Sequence, residues 1–273
     1  MYSDCHDDRA PAPRDEAFPA VPATPAPADQ LVRPCDIKGI LHSHSRWADG
    51  AHSLSSMVAT AQEIGLEYLG ISDHFRSASH PDGLDLQAAQ VQRQEIERLR
   101  ALNPSFDILQ GIELDVNPDG TLPVDDANLG WFDFVIASFP PNGGWDPQRL
   151  TDQIVRAVSH PRVSILGKPM GEFMLQGAKA GVDMPRVLEA AAAHHTAVEV
   201  TANPCCAELD WSHCRLAQEL GVLLAISPDA HRAARLVDYR HGAELARAAG
   251  VCCGGILNTM NHFEVRRYLV QGR

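Results

Sequence analysis

The chain has 273 residues, 45% of them apolar, which is enough to build one substantial folded domain, and its formal net charge of −12 is spread along its length. No basic patch stands out, so tight autonomous binding to duplex DNA is disfavoured. No run approaches the ~20 apolar residues of a membrane span, and no secretion signal opens the chain. The seven cysteines include two adjacent pairs (Cys205-Cys206 and Cys252-Cys253), a pattern unlike a disulfide framework, so a cytoplasmic protein with reduced thiols is expected.

Residues 1–34 are rich in Pro and Ala and lack either hydrophobic period. Such a segment buries too little surface to offset its ordering entropy, so it reads as a disordered leader or linker. Cys5, His6, Asp7 and Asp8 fall within it and read as a solvated terminus. The single folded domain is expected over 35–273.

The first predicted strand, Ile37–Ser43, runs into His42-Ser43-His44 and is followed by Asp49-Gly50. Residues i and i+2 of a strand share a face, so His42 and His44 can reach one ion. A helix follows over Leu54–Ile64, where Leu54, Met57, Val58, Ala61 and Ile64 form one apolar stripe. The strand Tyr68–Ser72 ends in Asp73-His74, and a helix is expected over Leu86–Leu102. The strands Asp107–Glu113 and Phe132–Ser138 precede a helix over Pro147–Val158. The strand Val163–Gly167 runs into Lys168, and the next helix, Pro185–His194, has Asp183 as its cap and proline in its first turn. The strand Ala197–Thr201, a helix over Trp211–Leu220 and the strand Leu223–Ser227 complete the pattern, with Asp229 and His231 just beyond. His194-His195 suits a helix C-terminus, where positive charge meets the dipole. Cys205, Cys206 and Cys214 lack zinc-knuckle spacing.

Alternating strands and helices imply parallel strands with right-handed crossovers. His42, His44, Asp73, His74, Glu113, Ser138, Lys168, Glu199, Asn203, Asp229 and His231 all lie at or beyond the C-terminal ends of different predicted strands. A barrel brings those ends to one mouth, whereas an open sheet spreads them along a line. No glycine-rich dinucleotide loop follows the first strand, so the barrel is favoured. Imidazoles combined with Asp and Glu suit Zn, Mn or Fe, and Glu113 can bridge two ions. Clustered hard cations of this kind point to phosphoester hydrolysis.

The strings GILHSHSRWADG, GLEYLGISDHF, GIEL, ILGKP, EVTANP and ISPDAHR together resemble the PHP (polymerase and histidinol phosphatase) family of metal-dependent phosphoesterases. The resemblance is greatest to the version found in bacterial family X DNA polymerases and stand-alone relatives. It implies a distorted seven-stranded, TIM-like (β/α)7 barrel with up to three Mn or Zn ions, cleaving phosphomonoesters or DNA and nucleotide 3′ ends. By the same resemblance His42, His44, Glu113 and Asp229 serve the first ion, with Glu113 as the bridge, and Asp49, His74 and His231 hold the third.

Two histidines of the family pattern are replaced, by Pro140 and by Lys168, and both belong to the second ion; the family arginine nearby is Glu172. Proline has no side-chain donor atom and a protonated lysine is a poor ligand, so two ions per chain are expected, Mn or Zn, with Fe also compatible. Three readings are open for Lys168: a solvated surface lysine, an ammonium in the vacated cation position paired with Glu113, or a point charge for substrate phosphate. Arg232 and Asn203 are further substrate-binding candidates, beside a surface cation and a loop turn as their plain alternatives. The rival class is a catalytically weak or inactive barrel that binds a partner. An amidohydrolase is disfavoured because Lys168 and Glu199 stand where that class needs histidines. A small phosphorylated substrate or a DNA or nucleotide 3′ end is the expected partner, and any polymerase role would need another chain or a lost N-terminal region.

Overall fold

The computed structural model describes residues 27–140, 149–168, 182–202 and 211–271. Seven parallel strands lie in sheet order identical to chain order: β1 (Gly39–Ile40), β2 (Tyr68–Ile71), β3 (Asp107–Asp115), β4 (Phe134–Ser138), β5 (Ile165–Leu166), β6 (Ala197–Thr201) and β7 (Leu224–Ser227). Helices connect and cover them: α1 (Leu54–Glu63), α2 (Leu86–Leu102), α3 (Asp126–Leu129), α4 (Leu150–Val158), α5 (Met184–His194), α6 (Trp211–Glu219), α7 (Tyr239–Ala248) and α8 (His262–Gln271). The expected (β/α)7 order is present. The expected α4 start at Pro147 and the Asn203 turn lie outside the described residues.

Local chemistry explains the element boundaries. Ser53 caps α1 by accepting from the Ser56 amide at 3.2 Å, and Leu54, Met57, Val58 and Ala61 of the expected stripe are buried. Asp183 caps α5 through the Arg186 amide at 3.1 Å, and His195 closes it in the left-handed conformation.

Alternation within the strands sorts side chains between two cores. Leu69, Ile71, Leu166, Val198, Leu224 and Ile226 pack with residues of α1, α4, α5 and α7 in the outer layer. Tyr68, Leu109, Phe134, Ile136, Ile165, Ala197 and Ala225 face each other inside the barrel. Phe134 fills this interior so completely that a Cβ on Gly111 would stand 2.3 Å from its ring. Two residues farther along the same inner faces, the composition changes to Glu113, Ser138, Glu199 and Ser227, all buried. Thus the barrel is apolar toward the strand N-termini and polar at its C-terminal mouth.

β1 and β7 meet without a regular ladder, and the chain closes this seam in two places. Near the strand starts, buried Asn258 donates from Nδ2 to Gly39 O at 2.9 Å and to Ile226 O at 3.0 Å. Its Oδ1 accepts from the Ile226 amide at 2.6 Å, and its carbonyl accepts from the Lys38 amide at 2.7 Å. At the mouth, the His44 amide donates to Ala230 O at 3.0 Å. Helix α8 then plugs the opposite end: Val265 and Leu269 join the interior cluster, and Arg266 binds Asp107 at 2.5 and 2.6 Å.

Several sequence expectations are corrected. β1 is two residues instead of Ile37–Ser43, because Ser43 spends its hydroxyl on Gly70 O at 2.8 Å while the chain turns toward Ala230. β5 is Ile165–Leu166 instead of Val163–Gly167, since Lys168 takes a left-handed turn at φ 45°. β4 begins at Phe134 instead of Phe132, whose side chain packs in a separate cluster with Leu129 and Val135. Helices α3, α7 and α8 follow no element foreseen from the sequence. Cys35, Cys214, Cys252 and Cys253 are free, and Cys5, Cys205 and Cys206 lie outside the described residues. No described helix is long and apolar enough to cross a membrane.

Replacing Asn258 with Ala leaves three backbone groups across the β1/β7 seam without their side-chain partner. A loss of roughly 2–4 kcal/mol of unfolding free energy is expected, measured by urea denaturation. An unchanged denaturation midpoint would show that the seam closes without this side chain.

Candidate metal centre

The mouth gathers side chains from all seven strand ends, Ser138 being that of β4. His42 and His44 follow β1, His74 follows β2, Glu113 lies in β3, Lys168 follows β5, Glu199 lies in β6, and Asp229 and His231 follow β7. Asp49 arrives on a turn in which the Gly50 amide donates to Ser45 O at 2.9 Å and the Ala51 amide to His231 O at 2.7 Å. Gly50 is required there, because an added Cβ would stand 2.5 Å from His44 O. Lys168 and Asp229 both hold left-handed backbones, φ 45° and 47°, a conformation sparsely used outside glycine and frequent at functional sites.

Two quartets of metal-ligand type emerge, His42/His44/Glu113/Asp229 and His44/Asp49/His74/His231, each with one donor atom per residue within 4.8 Å of all the others. His44 belongs to both. Its Nε2 lies 3.0 Å from Asp229 Oδ1 and 3.3 Å from Glu113 Oε2, while Nδ1 lies 3.7 Å from Asp49 Oδ1. Glu113 Oε2 also meets His42 Nε2 at 2.9 Å and His74 Nδ1 at 3.3 Å. In the second quartet His231 Nε2 is 3.2 Å and His74 Nε2 3.7 Å from Asp49 Oδ2.

Several of these buried atoms face one another without hydrogen-bond geometry: both ring nitrogens of His44, His74 Nδ1 and Asp229 Oδ1. Buried polar atoms are normally satisfied, so this convergent set without partners is compatible with a cation between them. The donor set is imidazole and carboxylate without thiolate, which suits Zn, Mn or Fe. The residues present therefore fit divalent metal ions.

Glu199 supplies the supporting contact. Fully buried, it accepts from His42 Nδ1 at 2.7 Å, which fixes the ring and turns Nε2 toward the quartet. Asp73 acts on the other flank, accepting from the Ser45 amide at 2.5 Å, Ser45 Oγ at 2.6 Å and Gln92 Nε2 at 2.6 Å. It steadies the His44-to-Asp49 turn and stands outside both quartets. His80 stacks on His74, ring centroids 3.5 Å apart, and reaches Asp115 at 3.1 Å. Of these three supports, the sequence showed Glu199 and Asp73 only as strand-end residues and gave no signal for His80.

Proton affinities follow from this crowding. Burial lowers His42, but the carboxylates of Glu199, Glu113 and Asp229 outweigh it and hold the ring well above its ordinary value. His44, buried and facing His231, falls to about 4. Burial also opposes charge on His231, yet its hydrogen bond to Asp49 and the nearby Asp229 raise it to about 9. Burial works against the charged forms of Glu113 and Asp229 too, but neighbouring imidazoles and Lys168 keep both carboxyls well below the usual range.

The remaining sequence candidates divide. Lys168 is no solvated surface residue: its side chain is 21% exposed and its Nζ lies 2.7 Å from Asp229 Oδ2 and 3.8 Å from Glu113 Oε1. The carboxylate it pairs with most closely is Asp229, where Glu113 had been expected. Pro140 is buried, and its neighbour Ser138 makes the contact, donating to Glu113 Oε1 at 2.5 Å. Arg232 is exposed beside His231. Asn203 and Glu172 lie outside the described residues.

The PHP domain profile matches residues 41–201. The DNA polymerase/3′-5′ exonuclease PolX of Bacillus subtilis is 33% identical over 240 residues, which cover 88% of this chain and 42% of the relative. The chain thus spans less than half of that protein's length. A probable phosphatase of Thermoanaerobacter sp. is 25% identical over 238 residues, covering 82% of this chain and 91% of the relative. A solved histidinol phosphate phosphatase from Lactococcus lactis, in complex with zinc, L-histidinol and phosphate, shares the fold with a TM-score of 0.54 at 18% identity, over 78% of this chain and 94% of that one.

Glu199→Gln keeps the shape but removes the charge behind His42 Nδ1, so metal affinity should weaken roughly 10–100-fold in a metal titration. Wild-type affinity in that variant would deny Glu199 the supporting role. In the metal-free protein His42 and His231 carry protons at neutral pH, and a metal must displace them. Metal binding should therefore release protons and tighten as pH rises from about 6 toward about 9. Calorimetry in buffers of different ionisation enthalpy reads this directly, and a pH-independent affinity would contradict it.

Proposed function

Because the chain belongs to the PHP domain family, we propose that it is a metal-dependent phosphoesterase working through two divalent ions, Mn or Zn with Fe also compatible. His42, His44, Glu113 and Asp229 would hold one ion, and Asp49, His74 and His231 the other. The observation that carries this reading is the pair of quartets sharing His44, with their buried lone pairs turned inward. Ions bound there supply Lewis acidity toward water and phosphoryl oxygens.

The chain's own residues do the rest. Glu199 keeps the Nδ1 proton of His42 in place, so that Nε2 presents its lone pair toward the cluster once a cation displaces the second proton. His42 and Glu113 are sealed at 0% and 1% exposure, whereas Asp49 and His231 are each 36% exposed. Substrate therefore approaches over the Asp49/His231 side, with Lys168 at the edge of the same opening. Arg232, exposed next to His231, is placed in the chain to meet a phosphate that enters there.

A small phosphomonoester is the leading substrate class. The phosphatase-named relative matches over most of both chains, and the net charge of −12 opposes a long polyanion. Hydrolysis at a DNA or nucleotide 3′ end is the second reading, supported by 33% identity to the Bacillus subtilis polymerase-exonuclease. The absence of basic patches and the cysteine usage favour a cytoplasmic enzyme without autonomous duplex binding.

Purified protein assayed with Mn²⁺ or Zn²⁺ against a nitrophenyl phosphate, histidinol phosphate and a single-stranded 3′ end should hydrolyse at least one of them. His42→Ala should reduce that turnover to the chelated background. Protein that demonstrably binds metal yet turns over nothing on a broad phosphoester panel would instead be a binding module on a hydrolase fold.

A further inference from the structure

Glu113 and Asp229 each divide their two oxygens between different neighbours. Glu113 Oε2 faces His42, His44 and His74, while Oε1 accepts from Ser138 Oγ at 2.5 Å and lies 3.8 Å from Lys168 Nζ. Asp229 Oδ1 faces His44 Nε2 at 3.0 Å and His231 Nδ1 at 3.6 Å, while Oδ2 lies 2.7 Å from the same Nζ. Both carboxylates thus bridge from the imidazole cluster on one side to a single ammonium on the other. Spanning one oxygen from each of two bridging carboxylates is the task of a metal ion in a polynuclear centre.

The geometry points to Lys168 as a tethered third cation of this centre, its ammonium holding the outer oxygens of Glu113 and Asp229 and offering a fixed positive charge to the substrate's phosphoryl group. The inference rests on reading the two quartets as metal sites. Among the described residues only those two quartets assemble three or more metal-ligating side chains. Among the described residues, the outer position offers a divalent ion two carboxylate oxygens and the Ser138 hydroxyl. An ammonium needs no more than that, because it arrives covalently attached and satisfies the oxygens with its own N–H donors.

The backbone is bent to achieve this. Lys168 stands two residues beyond the end of β5, after Gly167, in a left-handed conformation sparsely used outside glycine and frequent at functional sites. Its side chain is also only 21% exposed, a fraction that leaves room for contact with one substrate oxygen from the open side. A plain structural ion pair would predict a different outcome on mutation: lost stability with unchanged ion number and unchanged chemistry.

The test uses the full chain, Mn²⁺ as the probe and Lys168→Met, Lys168→Asn and Lys168→Arg as variants. Asn tolerates left-handed backbone, so it keeps the test intact if the Met variant folds poorly. Wild type is expected to load about two equivalents of Mn²⁺ by metal analysis, consistent with a two-ion centre. In Lys168→Met and Lys168→Asn, the bared oxygens should recruit a further, weaker equivalent. Turnover of a nitrophenyl phosphate at two equivalents should fall by about 10–100-fold, with partial recovery in excess Mn²⁺, as for loss of a supporting group at a metal site. Lys168→Arg should keep the wild-type ion number and most of the turnover.

Met and Asn variants that load two equivalents and turn over at the wild-type rate would overturn the tethered cation while leaving the metal centre standing. Wild type that loads three equivalents would overturn it as well. Wild type that loads none would overturn the metal-centre reading itself, and the inference with it.

Discussion

The Glu113 carboxylate is the constraint on which the rest of this molecule depends. It is 1% exposed and faces three imidazoles, a hydroxyl and an ammonium. A buried carboxylate without compensation is prohibitive, so positive charge must be delivered to it from several directions at once. Parallel strands in a barrel do this economically, because every strand ends at the same mouth and each contributes one or two side chains. What results is a crowd of anions balanced by protonated and cationic side chains of the chain itself, set in an arrangement that also fits divalent ions.

That dependence links the seam of the barrel to the chemistry of the site. His42, His44 and Asp49 follow the first strand, while Asp229 and His231 follow the last. The two quartets therefore exist only if β1 and β7 are brought together. Asn258 ties the strands near their starts, and the His44 amide bond to Ala230 ties them at the mouth, between the two groups of ligands. Residues with no contact to substrate thus set the spacing of the ligands. The alternation inside the barrel completes the arrangement: the apolar interior that includes Phe134 and Ile136 lies beneath buried Glu113, while Asp49 and His231 are each 36% exposed.

The centre also includes a cation that belongs to the chain, the Lys168 ammonium. Metal ions and protonated side chains both neutralise bridging carboxylates, but only the side chain is held by a covalent bond and a fixed backbone turn. Lys168 and Ser138 together face the outer oxygens of Glu113 and Asp229, at Oε1 and Oδ2, while Asp229 Oδ1 stays among the imidazoles without hydrogen-bond geometry. The loss of two imidazoles at Pro140 and Lys168 is concentrated on one edge of the cluster, and the imidazole quartets on the other edge are intact.

The inventory of the centre was legible in the amino-acid order. Strand-end position and the two-residue period identified His42, His44, Glu113, His74, Asp229 and His231, because local periodicity alone decides which face of a strand a residue occupies. The same reasoning foresaw the α1 stripe and the Asp183 cap, both of which depend on neighbours within a turn or two. It overextended β1 and β5, whose ends are set by Ser43 bonding to Gly70 and by the left-handed turn at Lys168. It also missed α8 as a plug, and it listed Glu199 without its partner. The sequence by itself determined which side chains reach the mouth and that the mouth is rich in metal-binding donors. Only the tertiary structure decided that Glu199 braces His42, that Lys168 spans two carboxylates, and that Asn258 closes the seam. Each of those contacts joins distant parts of the chain, and such contacts become defined only when the barrel curls shut.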